Sequence, residues 1–188
     1  DAPIGEATGP DRPWGGEGGA SFVGGSAFDN INGNQGDDHL SGGDGDDWVV
    51  GGKDNDVQFG DVGADGGLGN LGSDTLNGGQ GSDQVRGGQG SDLVMGGQGD
   101  DYLSGDRGSD TLTGGLGADQ FHVFGGSELD WVTDFRQAEG DGVVVAPGAS
   151  YTLAQDGANT VITLTGGGEM VLAGVQLSSL SSGWIYEG

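Results

Sequence analysis

The sequence predicts an all-β fold: a parallel β-roll, that is, a right-handed β-helix of 18-residue coils, with a small C-terminal β cap. Three observations predict it. Glycine occupies 47 of the 188 positions. Aspartate recurs every nine residues in one phase from Asp29 to Asp119. An apolar residue recurs with the same period, two places after all of these aspartates but Asp56 and Asp65. A fixed short period of this kind marks a repeat architecture in which each unit buries its face only against its neighbours.

The frame itself comes first. Residues 78–86 read GGQGSDQVR, 87–95 GGQGSDLVM and 96–104 GGQGDDYLS. The phase holds without insertion from residue 15 to residue 122, giving twelve frames, eleven of which carry Asp at position six. Low-complexity Gly/Asp sequence would share this composition but not its phase. Before the frames, residues 1–14 carry Pro3, Pro10 and Pro13 and read as a linker. After them, residues 123–188 lose the glycine lattice. There VVV at 143–145 and TVITLT at 160–165 read as strands, and Asp156-Gly157 and Gly166-Gly167-Gly168 as hairpin turns. A small β cap is expected over this stretch.

Within one nonapeptide, the glycine-rich positions one to six can turn sharply. Positions seven to nine leave room for a three-residue strand. Position eight is regularly apolar (Phe22, Ile31, Leu40, Val49, Leu76, Val85, Val94, Leu103, Leu112, Phe121) and should face inward, with seven and nine facing water. Two repeats then make one coil, and coils stack about 4.8 Å apart, as strands in a sheet do. Aspartates two repeats apart fall on one edge. One ladder is Asp29, Asp47, Asp65, Asp83, Asp101 and Asp119; the other is Asp38, Asp56, Asp74, Asp92 and Asp110.

Composition says what such ladders are for. Only 32% of residues are hydrophobic and the formal net charge is −25, a balance that ordinarily leaves a chain disordered. Folding energy must come from a ligand, and the charge makes that ligand cationic. Carboxylates about 5 Å apart repel by about 3 kcal/mol at an effective dielectric of 20. An ion between two of them, at Ca–O distances of about 2.3–2.6 Å, removes that repulsion, and turn carbonyls can complete an all-oxygen shell. Mg²⁺ wants shorter bonds and keeps its water. Zinc wants His or Cys, and the chain has no cysteine. The two ladders offer nominally about nine inter-coil Ca²⁺ positions, and metal binding should be one event with folding. The same charge repels nucleic acid and anionic membrane surfaces. No apolar run approaches the roughly 20 residues of a membrane span.

The nonapeptide GGxGxDxUx resembles the RTX (repeats-in-toxin) calcium-binding repeat, strongly over residues 24–122. Asp130-Trp-Val-Thr-Asp134-Phe135 resembles the segment that closes the last coil of such a roll, and 171–180 resembles the C-terminal region of RTX proteins exported by type I machinery. The resemblance implies a secreted, extracellular bacterial protein that leaves the cell unfolded, guided by a C-terminal signal, and folds in external calcium. It implies as ligands the position-six aspartates with carbonyls of turn positions, here Gly79, Gly81, Gly88, Gly90, Gly97 and Gly99, and it adds Asp130 and Asp134, in the segment that closes the last coil, to the metal-binding residues.

One stretch departs from the pattern. Asp54 stands where glycine belongs, and Gln58 and Gly67 stand in core positions. A bulged, weak coil with a distorted or empty calcium site is expected around residues 54–68. No catalytic motif is present: GxSxG and HExxH are absent, and His39 and His122 fall at outward positions. Trp48 and Tyr102 share position seven on one sheet, three coils apart, where exposed aromatics can stack on a polysaccharide. The leading expectation is a non-catalytic Ca²⁺-dependent folding and secretion module. Two alternatives remain: an accessory substrate-binding module beside the catalytic domain of a secreted protease, lipase or polysaccharide-active enzyme, or a segment of an adhesin or surface layer.

Overall fold

The computed structural model describes residues 9–188; residues 1–8, most of the expected linker, lie outside the described residues. Twelve strands follow the repeats: β1 (Ser21–Gly25), β2 (Asn30–Gln35), β3 (His39–Asp44), β4 (Trp48–Lys53), β5 (Val57–Val62), β6 (Gly66–Leu71), β7 (Thr75–Gln80), β8 (Gln84–Gln89), β9 (Leu93–Gln98), β10 (Tyr102–Arg107), β11 (Thr111–Leu116) and β12 (Gln120–His122). Six more follow: β13 (Leu129–Val132), β14 (Gly142–Val145), β15 (Tyr151–Asp156), β16 (Asn159–Leu164), β17 (Glu169–Leu172) and β18 (Ile185–Glu187).

Odd and even strands of the repeats separate into two sheets, as alternating turns require. One sheet runs β1-β3-β5-β7-β9-β11-β13-β17-β16-β15 and the other β18-β14-β12-β10-β8-β6-β4-β2. Pairing through the repeats is parallel with an offset of two frames, as in Leu76↔Val94 and Val85↔Leu103. The all-β parallel roll read from the sequence is therefore the observed architecture.

The strands are longer than the repeat suggests. Most span six residues, because positions seven to nine continue into positions one to three of the next frame. Glycine weakens a strand, yet here it is required. Burial alternates, so positions six, eight and one all point inward. A Cβ on a position-one glycine such as Gly87 would collide with the carboxylate of its own repeat, here Asp92.

The interior is a single file of position-eight side chains, and it is interrupted once. Ala20, Phe22, Ile31, Leu40 and Val49 form one buried cluster. A second runs from Leu76 and Val85 to the C-terminal strands. Between them sit buried Gln58 and, opposite, the bare backbone of Gly67, beside a small void that Val49, Leu76 and Val85 also line. The thin core read from the sequence is present; the bulge is not. β5 and β6 keep the two-frame register with both neighbours. Backbone pairing does not depend on side-chain volume, so the ladder bridges a gap that the core cannot fill. Asp54 supports the same regularity by adopting the left-handed conformation (φ 76°) that its turn demands.

The two sheets run on beyond the last repeat. β13 stacks on β11 and β14 on β12, with loops lengthening the offset beyond two frames (Thr111↔Trp131, Gln120↔Gly142). β17 and β18 add in parallel, and β15–β16–β17 form an antiparallel meander. Phe121, Phe135 and Trp184 pack ring against ring over this end, with centroids 6.2 and 5.9 Å apart. At the other end, Trp14 bridges to Asn32, and the N–H groups of Asn30 and Asn32 donate to the carbonyls of Asp11 and Pro13. Residues 11–14, grouped with the linker because of Pro13 and the neighbouring Pro10, lie on the lattice. Pro10 and Pro13 occupy sites whose missing N–H the edge of a stack tolerates.

Candidate metal centre

The aspartates expected on the edges of the roll are fully inside its turns. Asp29, Asp38, Asp47, Asp56, Asp65, Asp74, Asp83, Asp92, Asp101, Asp110 and Asp119 are all buried. Each carboxylate spans two coils. One oxygen accepts a backbone N–H from the coil before: Asp74 N–H donates to Asp92 Oδ1 at 2.8 Å, and Asp83 N–H to Asp101 Oδ1 at 2.9 Å. The other oxygen lies against the first glycine of its own repeat. In Asp38, Asp47, Asp56, Asp65, Asp74, Asp83, Asp92, Asp101 and Asp110 this second oxygen is buried without a hydrogen-bond partner.

A file of buried carboxylates with no basic partner is electrostatically costly. Burial pushes Asp56, Asp65, Asp92 and Asp101 up to about 7 and Asp47 and Asp119 up to about 6. The backbone N–H bond opposes this rise, and neighbouring carboxylates, many of the same ladder, add to it. Asp38, Asp74, Asp83 and Asp110 move the same way, again chiefly by burial.

The ladders are longer than the strict period indicates. Asp110 N–H donates to Asp130 Oδ1 at 3.2 Å, so Asp130 is the next rung of its ladder. Burial, then repulsion from Asp110, pushes it up to about 8. Asp119 N–H donates to Asp141 Oδ1 at 3.0 Å, and Asp11 N–H to Asp29 Oδ1 at 2.6 Å. Sequence reasoning misses Asp11 and Asp141. Asp11 stands two frames before Asp29, a signal hidden among prolines; Asp141 follows Asp119 at a spacing off the phase. Asp134 is not a rung. It accepts the N–H groups of Gly114 and Gly115, both at 2.9 Å, and so caps the last regular strand.

The six glycines stand where carbonyls can reach the ladders. All have positive φ, from 113° at Gly79 to 140° at Gly81 and Gly90. A Cβ on Gly99 would collide with the carbonyl oxygen of Gly81, so the position-four carbonyl points along the stack at the next turn. The carbonyls of Gly81, Gly90 and Gly99 accept no backbone hydrogen bond among the described residues. Among these residues no three Asp, Glu, His or Cys side chains gather around one point. The donor set is therefore one or two carboxylates with backbone carbonyls, all oxygen, which fits a hard cation of flexible coordination such as Ca²⁺. The histidines lie apart. His39 is exposed beside Phe59, and His122 is half-buried between Tyr102 and Phe124.

Comparison with known proteins agrees with this geometry. Residues 14–43, 23–58, 59–94, 68–103 and 86–121 match the RTX calcium-binding nonapeptide repeat (4 copies), an unbroken span covering more than half of the chain. The chain belongs to this RTX calcium-binding repeat family. No curated protein matches it. Among solved structures, the extracellular lipase LipA from Serratia marcescens is 18% identical with a TM-score of 0.41. That match covers 96% of this chain and 40% of the lipase, so the RTX chain spans well under half of the lipase's length. The AlgE6R3 subunit of the Azotobacter vinelandii mannuronan C5-epimerase is 20% identical, with 92% and 80% covered and a TM-score of 0.24.

Proposed function

We propose that this RTX chain is a non-catalytic calcium-binding module that folds when Ca²⁺ enters its turns. In this reading it does so outside the cell after type I export, and its folding stabilises the protein that carries it. The observation that carries the reading is the double file of buried aspartates, nearly all with an oxygen that no protein group satisfies. Asp29 to Asp119 in the two ladders, with Asp11, Asp130 and Asp141 at their ends, supply carboxylates; Gly79, Gly81, Gly88, Gly90, Gly97 and Gly99 supply carbonyls. Bound Ca²⁺ supplies the positive charge that these carboxylates lack. The chain's own groups hold the turns open for it, since glycine at positions one and four keeps side chains out of the space.

Circular dichroism tests the reading directly. In EGTA the chain should be expanded with little β signal, and millimolar Ca²⁺ should restore a β-rich spectrum. Asp83→Ala and Asp92→Ala should each raise the calcium midpoint. An unchanged folded spectrum in EGTA would overturn coupled folding.

A further inference from the structure

The two faces of the roll differ at position seven. On the sheet of β2 to β12 the aligned residues are Asn30, Trp48, Gly66, Gln84, Tyr102 and Gln120. Amide and aromatic side chains thus alternate along one column, with a single gap. On the sheet of β1 to β11 the same column reads Ser21, His39, Val57, Thr75, Leu93 and Thr111, with no such alternation.

The gap at Gly66 shapes the surface. Trp48 leans across it: a Cβ on Gly66 would run into the indole ring. The ring covers this backbone and remains 42% exposed, with Phe28 49% exposed in the same depression. That depression, about 570 Å³, adjoins a second of about 450 Å³ beside Tyr102, and the two share Ser82 and Gln84. They make one open trough. Trp48 and Tyr102 are three coils apart within it, about 14 Å at the usual strand spacing.

We infer that this trough binds an uncharged polysaccharide. Aromatic faces offer platforms on which the apolar faces of sugar rings stack, while a polar rim meets their hydroxyls. The side-chain amides of Asn30, Gln84 and Gln120 make no hydrogen bond to the protein among the described residues, leaving three carboxamides to donate and accept along the column. The span between the platforms suits an extended chain of several sugar units rather than a monosaccharide. Charge selects the class. No Lys or Arg lines either depression; behind them lie the buried ladder aspartates Asp47, Asp65, Asp83 and Asp101, assigned above to calcium, and at their rim Asp46 and Asp100. The Oδ1 atoms of the two rim aspartates accept the N–H groups of Ala64 and Ala118 at 2.9 and 2.8 Å. Uronate polymers and nucleic acids therefore meet like charge on a chain of net charge −25.

The inference needs the folded roll but not the identity of the ion that folds it. Affinity electrophoresis in calcium should be run through gels containing hydroxyethylcellulose, soluble starch, xylan or dextran, with polygalacturonate as the anionic probe. At least one neutral polymer should retard the protein, and Trp48→Ala and Tyr102→Ala should each weaken retardation about tenfold, as the loss of a stacking platform requires. Leu93→Ala, on the opposite sheet, should bind as the parent does. Circular dichroism of the same samples separates lost binding from lost fold. If no neutral polymer retards the folded protein, if polygalacturonate retards it most, or if the two aromatic variants bind normally while folded, the inference is overturned.

Discussion

The repeats on either side of residues 58–67 obey the same period and share the same backbone register, yet they are not equally supported. The N-terminal coils close around five buried hydrophobic residues. The C-terminal coils share one continuous core with the strands and aromatic rings of the last third of the chain. Hydrophobic burial contributes about 25 cal/mol per Å², so the longer core has a stabilising reserve that the shorter one lacks. Identical calcium sites stacked on unequal cores should respond unequally when the ion is withdrawn.

The largest expected effect breaks the molecule along that line. As free Ca²⁺ is lowered stepwise, hydrogen exchange should reveal amide protection lost first over residues 21–53 and last over 76–172. Simultaneous loss would mean that the interruption at Gln58 and Gly67 does not divide the roll. Next, Leu103→Ala and Ile31→Ala each empty a fully buried site and should cost about 2–5 kcal/mol locally. The first should raise the calcium midpoint of the whole chain, the second only that of the N-terminal coils, as read by site-resolved exchange.

Acid should act on the calcium-free form. The raised aspartates favour their protonated state in the fold. Their contribution is thus fully present below the ordinary carboxylate value near 3.8 and is lost as pH rises through about 6 to 8. Circular dichroism in EGTA should therefore show more β structure at pH 4 than at pH 8; the reverse trend would count against desolvated ladders. Smaller still, Gln58→Leu removes the unpartnered Oε1 of a buried amide but also the bond its Nε2 donates to the Leu68 carbonyl at 3.2 Å; the net should stabilise the roll by about 1 kcal/mol or less, drawing the two exchange transitions together. Least of all, Arg86→Ala breaks a surface pair at 2.9 Å between an exposed arginine and the largely covered carboxylate of Asp106. It should shift the thermal midpoint little, as such pairs contribute under about 1 kcal/mol, and leave the calcium midpoint unmoved.

The regular half of this picture was legible because a strict period converts directly into stacking. Leu76, Val94 and Leu112 at position eight could hardly point anywhere but inward, and Asp83 and Asp101 could hardly avoid one another. The depth of the aspartates was not legible. Position six looks like turn edge, and only the alternation of six, eight and one in a six-residue strand puts it inside. Asp141 escapes because the loop between it and Asp119 makes their spacing 22 residues, off the nine-residue phase. Asp11 escapes because Pro10 and Pro13 outweigh an aspartate in step with the frame. Gln58 is a weak core position in sequence and structure alike, but its defect stays in the side chain and does not reach the backbone.

The split of consecutive repeats between opposite sheets gives the chain a grammar of lengths. Removing two whole repeats from the regular coils deletes one rung from each ladder and leaves everything upstream facing as before. Removing a single repeat transposes the upstream half: its odd strands take even places, and each ladder is spliced to the other's continuation. A one-repeat deletion between Trp48 and Tyr102 would keep every remaining calcium motif intact while sending the two rings to opposite sides of the molecule. Evolution by duplication in this fold is therefore silent in pairs and transposing in singles, much as triplets are for a coding sequence.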